Sequence, residues 1–249
     1  MKPFKHNPIE LTDLSAELID GKRFYNVPGG KYYPSITSVL SVLSEESIQR
    51  WRKRVGEKEA NKISTRAARR GTHVHQMCED YLNNELICSD WNMMKKFLPE
   101  ERAMFKSLKP ELDKNIGTIY SQECALYSDY LGVAGRVDCV AEWEGRLSII
   151  DFKTSSRAKR KHNIHNYFQQ AAAYAIMFEE RTKIPIDKIV IAIAVEQMPV
   201  HPPQIYIEKR DNWVPQLLNT IEKWKEVHSK FTNAKYMKSN IDKYITEAY

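Results

Sequence analysis

Hydrophobic positions in the first half of the chain recur with a helical period. In the segment STRAARRGTHVHQMCEDYLNNE they fall at i, i+3, i+4, i+7 and i+8, which predicts one apolar helical face. That face consists of Val74, Met77, Cys78, Tyr81 and Leu82. The charged segment EESIQRWRKRVGEKEANK before it also predicts helix, and Ser35 is a suitable N-cap for a shorter helix. The apolar face of that shorter helix consists of Ile36, Val39, Leu40 and Leu43. Two short extended pieces around the Pro-Gly-Gly turn of FYNVPGGKYYP are expected before it.

From about residue 116 the pattern changes to β-like runs. GTIYSQECALYS, VAGRVDCVAEW and RLSIIDFKT follow one another, and an Ala- and Gln-rich helix is expected over 166–182. KIVIAIAVEQ predicts a strand buried on both faces, and QIYIEKR predicts a further strand. Asp211 is a suitable cap for a final helix, whose stripe consists of Val214, Leu217, Leu218, Ile221 and Trp224. The order predicts an α/β fold in one domain over 1–249, with a mainly helical part (1–115), a sheet core (116–210) and a C-terminal helix and tail (211–249).

Composition narrows the class of protein. The chain has 249 residues, 42% of them hydrophobic, as is typical of globular proteins. Its net charge of +6 is compatible with a polyanionic partner but does not establish one. No segment approaches the roughly 20 apolar residues of a membrane helix and no signal core is present, so we expect a cytoplasmic protein without a membrane partner. The four cysteines form no CxxC pair, which favours free thiols over zinc or iron–sulfur ligation.

The charged end of the apolar run LSIIDFKTS indicates a candidate site. If the Glu-Gly pair after Trp143 is a two-residue hairpin turn, Trp143 faces Arg146 and Asp138 lies opposite Asp151. Directly opposed residues share a sheet face, with Cβ atoms roughly 4.5–5.5 Å apart. Lys153, two residues beyond Asp151, projects from that same face. Two carboxylates that close repel each other unless a proton or cation lies between them, which favours a site for a hard cation such as Mg²⁺ over a surface salt-bridge cluster.

The segments GRVD, IIDFKTS and QQAAAY, in this order, carry a family resemblance. They resemble the PD-(D/E)xK nuclease superfamily, and in particular its RecB-type exonuclease branch. The GxxxH helix motif of that branch is matched by Gly71 and His75, and its QxxxY motif by Gln170 and Tyr174. YPSITSVL is similar to a segment of phage and mitochondrial exonucleases of this branch. The resemblance implies a restriction-endonuclease-like core, with a central mixed sheet flanked by helices, and Mg²⁺- or Mn²⁺-dependent cleavage of DNA.

The resemblance also implies roles for individual residues. Asp138 and Asp151 would be metal ligands, together with the backbone carbonyl of Phe152 and His75, and Lys153 would be the catalytic lysine. The candidates that would shape the site or bind DNA are Glu123, Ser35, Thr37, Thr154, Gln170 and Tyr174. Position rather than resemblance adds Glu79, one turn beyond His75, which could assist the metal, and the basic run Arg157, Lys159, Arg160 and Lys161, which could contact phosphate just after the strand. A solvated loop is the alternative for the basic run, and core packing is the alternative for His75. The cysteines of the iron–sulfur variants have no counterpart after Lys153, which disfavours that subfamily.

Three functions remain open on the sequence alone. The first is a metal-dependent DNA exonuclease acting from single-stranded ends, in the host cytoplasm if the chain is phage-encoded. The second is a structure-specific endonuclease on the same fold, which would cut a sealed circle. The third is an inactive DNA-binding accessory subunit, and the intact set of Asp138, Asp151 and Lys153 argues against it.

Overall fold

The computed structural model describes residues 3–196 and 202–232. Gln197, at the end of a predicted strand, and the predicted tail beyond residue 232 lie outside these ranges. The strands are β1 Lys5–His6, β2 Ala16–Ile19, β3 Lys22–Val27, β4 Lys31–Pro34, β5 Ile116–Ser128, β6 Val133–Trp143, β7 Arg146–Ser155, β8 Lys188–Val195 and β9 Gln204–Lys209. The α-helices are α1 Ile36–Leu40, α2 Glu45–Val55, α3 Glu57–Leu82, α4 Trp91–Met94, α5 Pro99–Asn115, α6 His165–Thr182 and α7 Val214–Val227.

The centre of the fold is a mixed sheet with the strand order β1-β5-β6-β7-β8-β9. The β5–β6, β6–β7 and β8–β9 pairs are antiparallel, whereas β7 and β8 are parallel. Parallel neighbours need a crossover connection, and α6 provides it between β7 and β8. The predicted α/β class with a central mixed sheet is therefore confirmed.

Helices cover both faces of this sheet. Side chains alternate between the two faces along each strand, so each strand contributes to the core on both sides. Ile150 and Phe152 of β7 face α3 and α5 and belong to the core on that side. Ile149 faces α6 and α7 and belongs to the core on the other side. In β8, residues 189–195 are all buried, which agrees with the predicted strand covered on both faces.

The hairpin of β6 and β7 has the predicted turn and, as far as Cys139 and Ile150, the predicted register, whereas the predicted pair of Asp138 with Asp151 lies beyond the end of the ladder. Trp143 pairs with Arg146, and the ladder continues in register to Cys139 and Ile150. The two turn residues have φ values of 52° and 74°, the left-handed pair that a type I′ turn requires. Beyond Cys139 and Ile150 the backbone pairing stops, although both strands continue. The strands separate there, and we call this open end of the hairpin the fork (residues 133–138 of β6 and 151–155 of β7).

The N-terminal part is less helical than predicted. The extended pieces around Pro-Gly-Gly are confirmed as β3 and β4, but β2 joins them in a three-stranded antiparallel sheet. Asp20 and Gly21, with φ values of 48° and 73°, form the turn between β2 and β3. In addition, β1 pairs with β5 in parallel at the edge of the central sheet. Helical structure therefore begins only at Ile36.

The helical predictions hold in outline, with two corrections at their ends. The predicted stripe of α3 is fully buried, and Gly56, at φ 83°, separates α2 from α3. Leu43 is 44% exposed because α1 ends at Leu40, so its predicted place on the buried face is wrong. Asp211 does not cap α7, since its carboxylate binds Arg210 and the N-cap position belongs to Trp213. Over the ranges the structure describes, no helix combines the length and the apolar character needed to cross a membrane.

Candidate active site

Asp138 lies at the point where β6 and β7 separate. Its Oδ2 accepts a hydrogen bond from the backbone N–H of Phe152 at 2.8 Å, so a side chain takes the place of a backbone partner. Val137 belongs to the core on the α6 side and Cys139 to the core on the α3 side, although residues two apart on a regular strand share a face. The chain therefore twists at Asp138, and its carboxylate lies in the gap between the strands, near groups from both faces.

Asp151 is fully buried beside this gap and forms an ion pair with Lys153, as expected for residues two apart on a strand. Burial raises the pKa of Asp151 to about 6; the Lys153 ammonium opposes this rise, and the Asp138 carboxylate adds to it. Burial pulls the pKa of Lys153 down, but the two carboxylates outweigh it and leave this pKa above its usual value. Oδ1 of Asp151 has no hydrogen-bonding partner among the described residues. A buried, unpartnered carboxylate oxygen is costly, and a bound cation would remove that cost.

His75 reaches the gap from the α3 side. Its Nδ1 lies 3.5 Å from Oδ2 of Asp138, and its ring stands edge-on to Phe152 with centroids 6.3 Å apart. Gly71, one turn earlier on α3, lies against Thr154 of β7. The two motif residues of α3 therefore bring this helix onto the fork and place an imidazole next to a carboxylate.

Glu123 of β5 completes a group of three side chains that can hold a metal ion. One ligand atom each from His75, Glu123 and Asp138 lie within 4.8 Å of one another. Burial, followed by the Asp138 and Glu79 carboxylates, raises the pKa of Glu123 to about 7. Burial also raises the pKa of Glu79, which lines a cavity of about 390 Å³ together with His75 and Glu123. The sequence places Glu123 only among site-shaping residues, because nothing in it signals the unusual backbone, at φ 45°, that Glu123 adopts.

The donor atoms at the fork suit a hard divalent cation. Carboxylate oxygens of Glu123 and Asp138 and the His75 imidazole form one group of ligand atoms, which is oxygen-rich with one nitrogen. The Asp151 carboxylate is not part of this group, although it interacts electrostatically with Asp138 and His75. Mg²⁺ takes oxygen ligands, and Mn²⁺ accepts imidazole as well. The unpartnered oxygen of the buried Asp151 is independent support that the residues present fit such an ion.

Gln170 and Tyr174 of α6 fill the open side of the fork. Tyr174 is 2% exposed, and Nε2 of Gln170 donates to its hydroxyl at 3.1 Å. A Cβ at Gly135 of β6 would lie 2.7 Å from Cε1 of Tyr174, so this ring needs a glycine opposite it. Since both residues are buried, the geometry favours site shaping over contact with DNA.

Ser35 and Thr37 lie beside the fork, whereas Thr154 is part of it and lies against Gly71 of α3. Ser35 caps α1 by accepting from the N–H of Ser38 at 3.1 Å, and its backbone forms a bridge with Ala134 of β6. Thr37 is exposed and hydrogen bonds to Ser35 at 3.0 Å. These contacts tie α1 to β6 without reaching the carboxylates.

The basic run after β7 is anchored rather than loose. Lys159 donates its backbone N–H to Oε1 of Gln204 at 2.7 Å and accepts from the Tyr206 hydroxyl at 2.7 Å, which fixes the loop on β9. Lys161 forms an ion pair with Glu208. Exposed cations in the run are Arg157, Arg160 and Lys161.

The arginines of α3 are held by acids. Arg66 and Arg70 both pair with Glu196, at the end of β8, and Arg69 pairs with Glu101 at 3.5 Å. Arg70 is only 7% exposed. These side chains therefore connect structural elements of the fold. His73, on the same helix, also hydrogen bonds to Glu101, at 2.7 Å.

Residues 46–236 match the family model of the PD-(D/E)XK nuclease superfamily, and the chain belongs to this superfamily. The resemblance found in the sequence motifs is thereby confirmed. The chain is similar to mitochondrial genome maintenance exonuclease 1 of Xenopus tropicalis, with 29% identity over 160 residues, covering 61% of this chain and 44% of the relative. The human protein of that name is 28% identical over 136 residues (51% and 38%), and the mouse protein 25% over 181 residues (68% and 52%). The matches thus span about half of these relatives' length or less.

Proposed function

We propose that this protein is a Mg²⁺- or Mn²⁺-dependent DNA exonuclease that hydrolyses phosphodiester bonds from single-stranded ends. The observation that carries the proposal is the fork, where Asp138, Asp151 and His75 surround one gap and Lys153 lies beside it. Membership of a nuclease superfamily and the name "exonuclease" of the similar proteins support the same activity.

The residues of the fork would divide the work between holding the cation and positioning the reacting groups. Asp138, Asp151, His75 and the Phe152 carbonyl would bind the ion, which when bound polarises a phosphate oxygen and activates water. Lys153 carries its ammonium next to the Asp151 carboxylate, where it can orient the attacking water and offset negative charge on the phosphate. The wall formed by Gln170 and Tyr174 excludes water from the α6 side of the carboxylates.

The DNA backbone would be bound by cations just past the fork. Arg157, Arg160 and Lys161 are exposed on a loop whose backbone is fixed to β9, so their charges have a defined position relative to Lys153. Such contacts hold phosphate without reading sequence. This arrangement favours a substrate bound by its backbone.

A cleavage assay on four DNAs tests the proposal. End-labelled linear DNA and sealed circles, each single- and double-stranded, are incubated with Mg²⁺, Mn²⁺ or EDTA. We expect digestion of linear single strands with either metal, none in EDTA, and resistance of the sealed single-stranded circle. Rapid cutting of the circle would favour the endonuclease alternative. Binding without cleavage in both metals would favour the accessory subunit.

A matched control variant tests whether cleavage depends on the carboxylates of the fork or on acidic residues of the surface in general. Asp187 is an exposed acid that pairs with Arg146 at the turn end of the same sheet. Asp187→Asn should cleave at the wild-type rate, whereas the corresponding change at Asp151 should not. Equal loss in both variants would mean that the fork has no special part in the reaction.

A further inference from the structure

We propose that Arg66 and Arg70 of α3 form a binding site for one backbone phosphate of DNA, and that Glu196 occupies this site while DNA is absent. The phosphate would displace the Glu196 carboxylate from both guanidinium groups. The inference rests on the proposed function, since it takes DNA as the substrate, and it adds a phosphate site that the protein itself blocks. We call Arg66 and Arg70 the arginine pair.

The arginine pair holds the Glu196 carboxylate as it would hold a phosphate. Arg66 and Arg70 lie four residues apart on α3 and therefore on one face of the helix. Arg66 donates to Oε1 of Glu196 and Arg70 donates to Oε2, so each oxygen has its own guanidinium. A phosphodiester likewise has two unesterified oxygens that share one negative charge, and arginine binds carboxylate and phosphate with the same planar set of N–H groups.

Arg70 has hydrogen-bonding capacity that Glu196 does not use. Its side chain is 9% exposed, and its buried Nε has no hydrogen-bonding partner among the residues that the structure describes. A guanidinium carries five N–H donors, and an unpartnered buried donor is unfavourable. A tetrahedral phosphate offers acceptor oxygens in more directions than a planar carboxylate does. The buried Nε is therefore an independent indication that an anion other than Glu196 completes the site.

The ion pairs of Glu196 are exchangeable, in contrast to the contacts of the neighbouring acid Glu101. Glu101 is buried, accepts from the backbone N–H of Leu98 at 2.8 Å and binds His73, so it is built into the fold. In the part of the chain that the structure describes, the Glu196 carboxylate binds the arginine pair alone. The side chains of Glu196 and Arg66 are 20% and 57% exposed, so this position is accessible to DNA.

The arginine pair lies beside the end of the fork. Glu196 directly follows β8 and donates its backbone N–H to the carbonyl of Ser155, the last residue of β7, at 2.8 Å. Lys153 lies two residues before Ser155, roughly 7 Å along an extended strand. On α3 the pair precedes Gly71, which lies against Thr154 of β7. A phosphate bound by the pair would therefore lie near the scissile phosphate without reaching the carboxylates of the fork.

An acid in the phosphate site makes this site selective. A free anion must replace both ion pairs of Glu196 with no other contact to offset their loss. A strand that is already bound at the fork presents a further phosphate at high local concentration. Glu196 would therefore reserve the arginine pair for DNA that also occupies the fork, and would disfavour unrelated polyanions.

Binding of labelled single-stranded DNA to the full chain in EDTA tests the exchange. Fluorescence anisotropy at several salt concentrations gives the affinity and its salt slope. Glu196→Gln should bind roughly three- to tenfold more tightly than wild type, because one or two ion pairs no longer have to be broken. The slope of log K against log salt should steepen by about 0.7, the contribution of one single-strand phosphate. When Arg66→Ala and Arg70→Met are also present, Glu196→Gln should leave the affinity unchanged.

Two other acids are the controls for this binding experiment. Glu100 lies 3.8 Å from Arg66 and is thus close to the site without occupying it. Glu179 pairs with Arg210 elsewhere on the surface. Glu100→Gln and Glu179→Gln should each change the affinity by less than about twofold, as expected for partly exposed ion pairs. Equal tightening in Glu100→Gln and Glu196→Gln would indicate a general effect of charge and would overturn the phosphate site.

Thermal unfolding without DNA examines the site by itself. Glu196→Gln leaves two guanidinium groups, one of them buried, without their anion, which destabilises the fold. Its melting temperature in chloride should therefore lie below that of wild type. Inorganic phosphate at the same ionic strength should raise it by more than it raises that of wild type or Glu179→Gln. A loss of stability that phosphate does not restore would make Glu196 a structural link only.

Arg66→Ala keeps the inference testable if Glu196→Gln does not fold, because Arg66 is exposed. This variant should bind DNA more weakly, with a salt slope flatter by about 0.7. Unchanged binding would overturn the site. Failure of the proposed function is a separate result: the variants bind DNA and phosphate as expected, but wild type cleaves no DNA in Mg²⁺ or Mn²⁺. Conversely, metal-dependent cleavage by wild type with unchanged DNA binding in Glu196→Gln would remove the phosphate site alone.

Discussion

The two halves of the β6–β7 hairpin use the same two strands but are held together differently. In the turn half, residues 139–143 pair with residues 146–150 through the backbone, and apolar side chains on both faces enter the two cores. In the fork, backbone pairing between the strands ends, and Asp138, Asp151 and Lys153 occupy the positions that follow. Within one hairpin, the paired half therefore contributes to stability, and the polar groups available for chemistry lie in the half where backbone pairing has ended.

The two halves of the hairpin make contributions of opposite sign to the free energy of unfolding. Burial of apolar side chains in the turn half stabilises the fold. A buried carboxylate with an unpartnered oxygen, such as that of Asp151, destabilises it in the absence of a cation. Substitutions in the fork should therefore change activity far more than stability, and substitutions in the turn half should do the reverse.

The largest effect is expected for the carboxylates of the fork. Asp138→Asn and Asp151→Asn should each lower the cleavage rate in Mg²⁺ by roughly 10²–10⁴-fold, because several kcal/mol of transition-state stabilisation are lost with the cation. DNA binding should be equal or tighter, since a charge that repels phosphate is removed. Initial rates measure the first change and DNA-binding titrations the second, and urea unfolding of the metal-free variants checks that stability is kept. A near-wild-type rate in either variant would show that the site is misplaced.

The turn half should respond in the opposite sense. Trp143 is 1% exposed and pairs with Arg146, far along the hairpin from Asp151. Trp143→Ala should lower the free energy of unfolding by about 3–5 kcal/mol, the usual range for removing a buried aromatic side chain. The folded fraction should still cleave DNA at about the wild-type rate. If Trp143→Ala lost cleavage while its free energy of unfolding stayed unchanged, the proposed division between a stabilising turn half and a catalytic fork would be wrong.

Lys153 tests whether the fork needs an ammonium or only a positive charge. Lys153→Arg should be at least about 10²-fold slower, because a guanidinium is broader and does not readily give up its proton. Single-turnover rates at saturating DNA and metal are the measurement. Substantial activity would assign Lys153 a purely electrostatic part.

The smallest effect is expected just outside the fork, in the basic run. Replacing Lys159, Arg160 and Lys161 with Ala should flatten the slope of log K against log salt by about 1.4 to 2.1 if two or three single-strand phosphate contacts are lost. The ion pair of Lys161 with Glu208 favours the lower figure. Turnover at saturating DNA should stay near wild type. The control is the double variant Lys223→Ala, Lys225→Ala on α7. If its salt slope equals that of the triple variant, the basic run is a solvated loop without a specific part in DNA binding.

The sequence predicts well those features that depend on local sequence patterns, such as turns and amphipathic helices. The Glu-Gly turn fixed the register of the hairpin, and the apolar period located α3 with its buried stripe. The turn at Asp20 and Gly21 carries the same kind of signal, an Asp-Gly pair, and could have been predicted. Asp211 was predicted as a cap from its residue type alone, but the carboxylate binds Arg210 instead.

What the sequence does not reveal depends on contacts between distant segments. Glu123 has a left-handed backbone and its carbonyl accepts a hydrogen bond from Arg136, and neither residue type signals this arrangement. The carboxylate of Glu196 binds Arg66 and Arg70 across 126 or more positions of chain, so these arginines look free in the sequence and are paired in the fold. Both cases concern charged groups, whose partners are set by the fold rather than by neighbouring residues.

The contact between Gly135 and Tyr174 has an evolutionary consequence. An added methyl group at position 135 would overlap the tyrosine ring, whose atoms would lie only 2.7 Å away. Gly135→Ala alone should therefore be harmful, whereas the same change beside a smaller side chain at position 174 should be tolerated better. The two positions form an epistatic pair that joins a strand motif to a helix motif. Mutational paths through this protein should change them together or not at all.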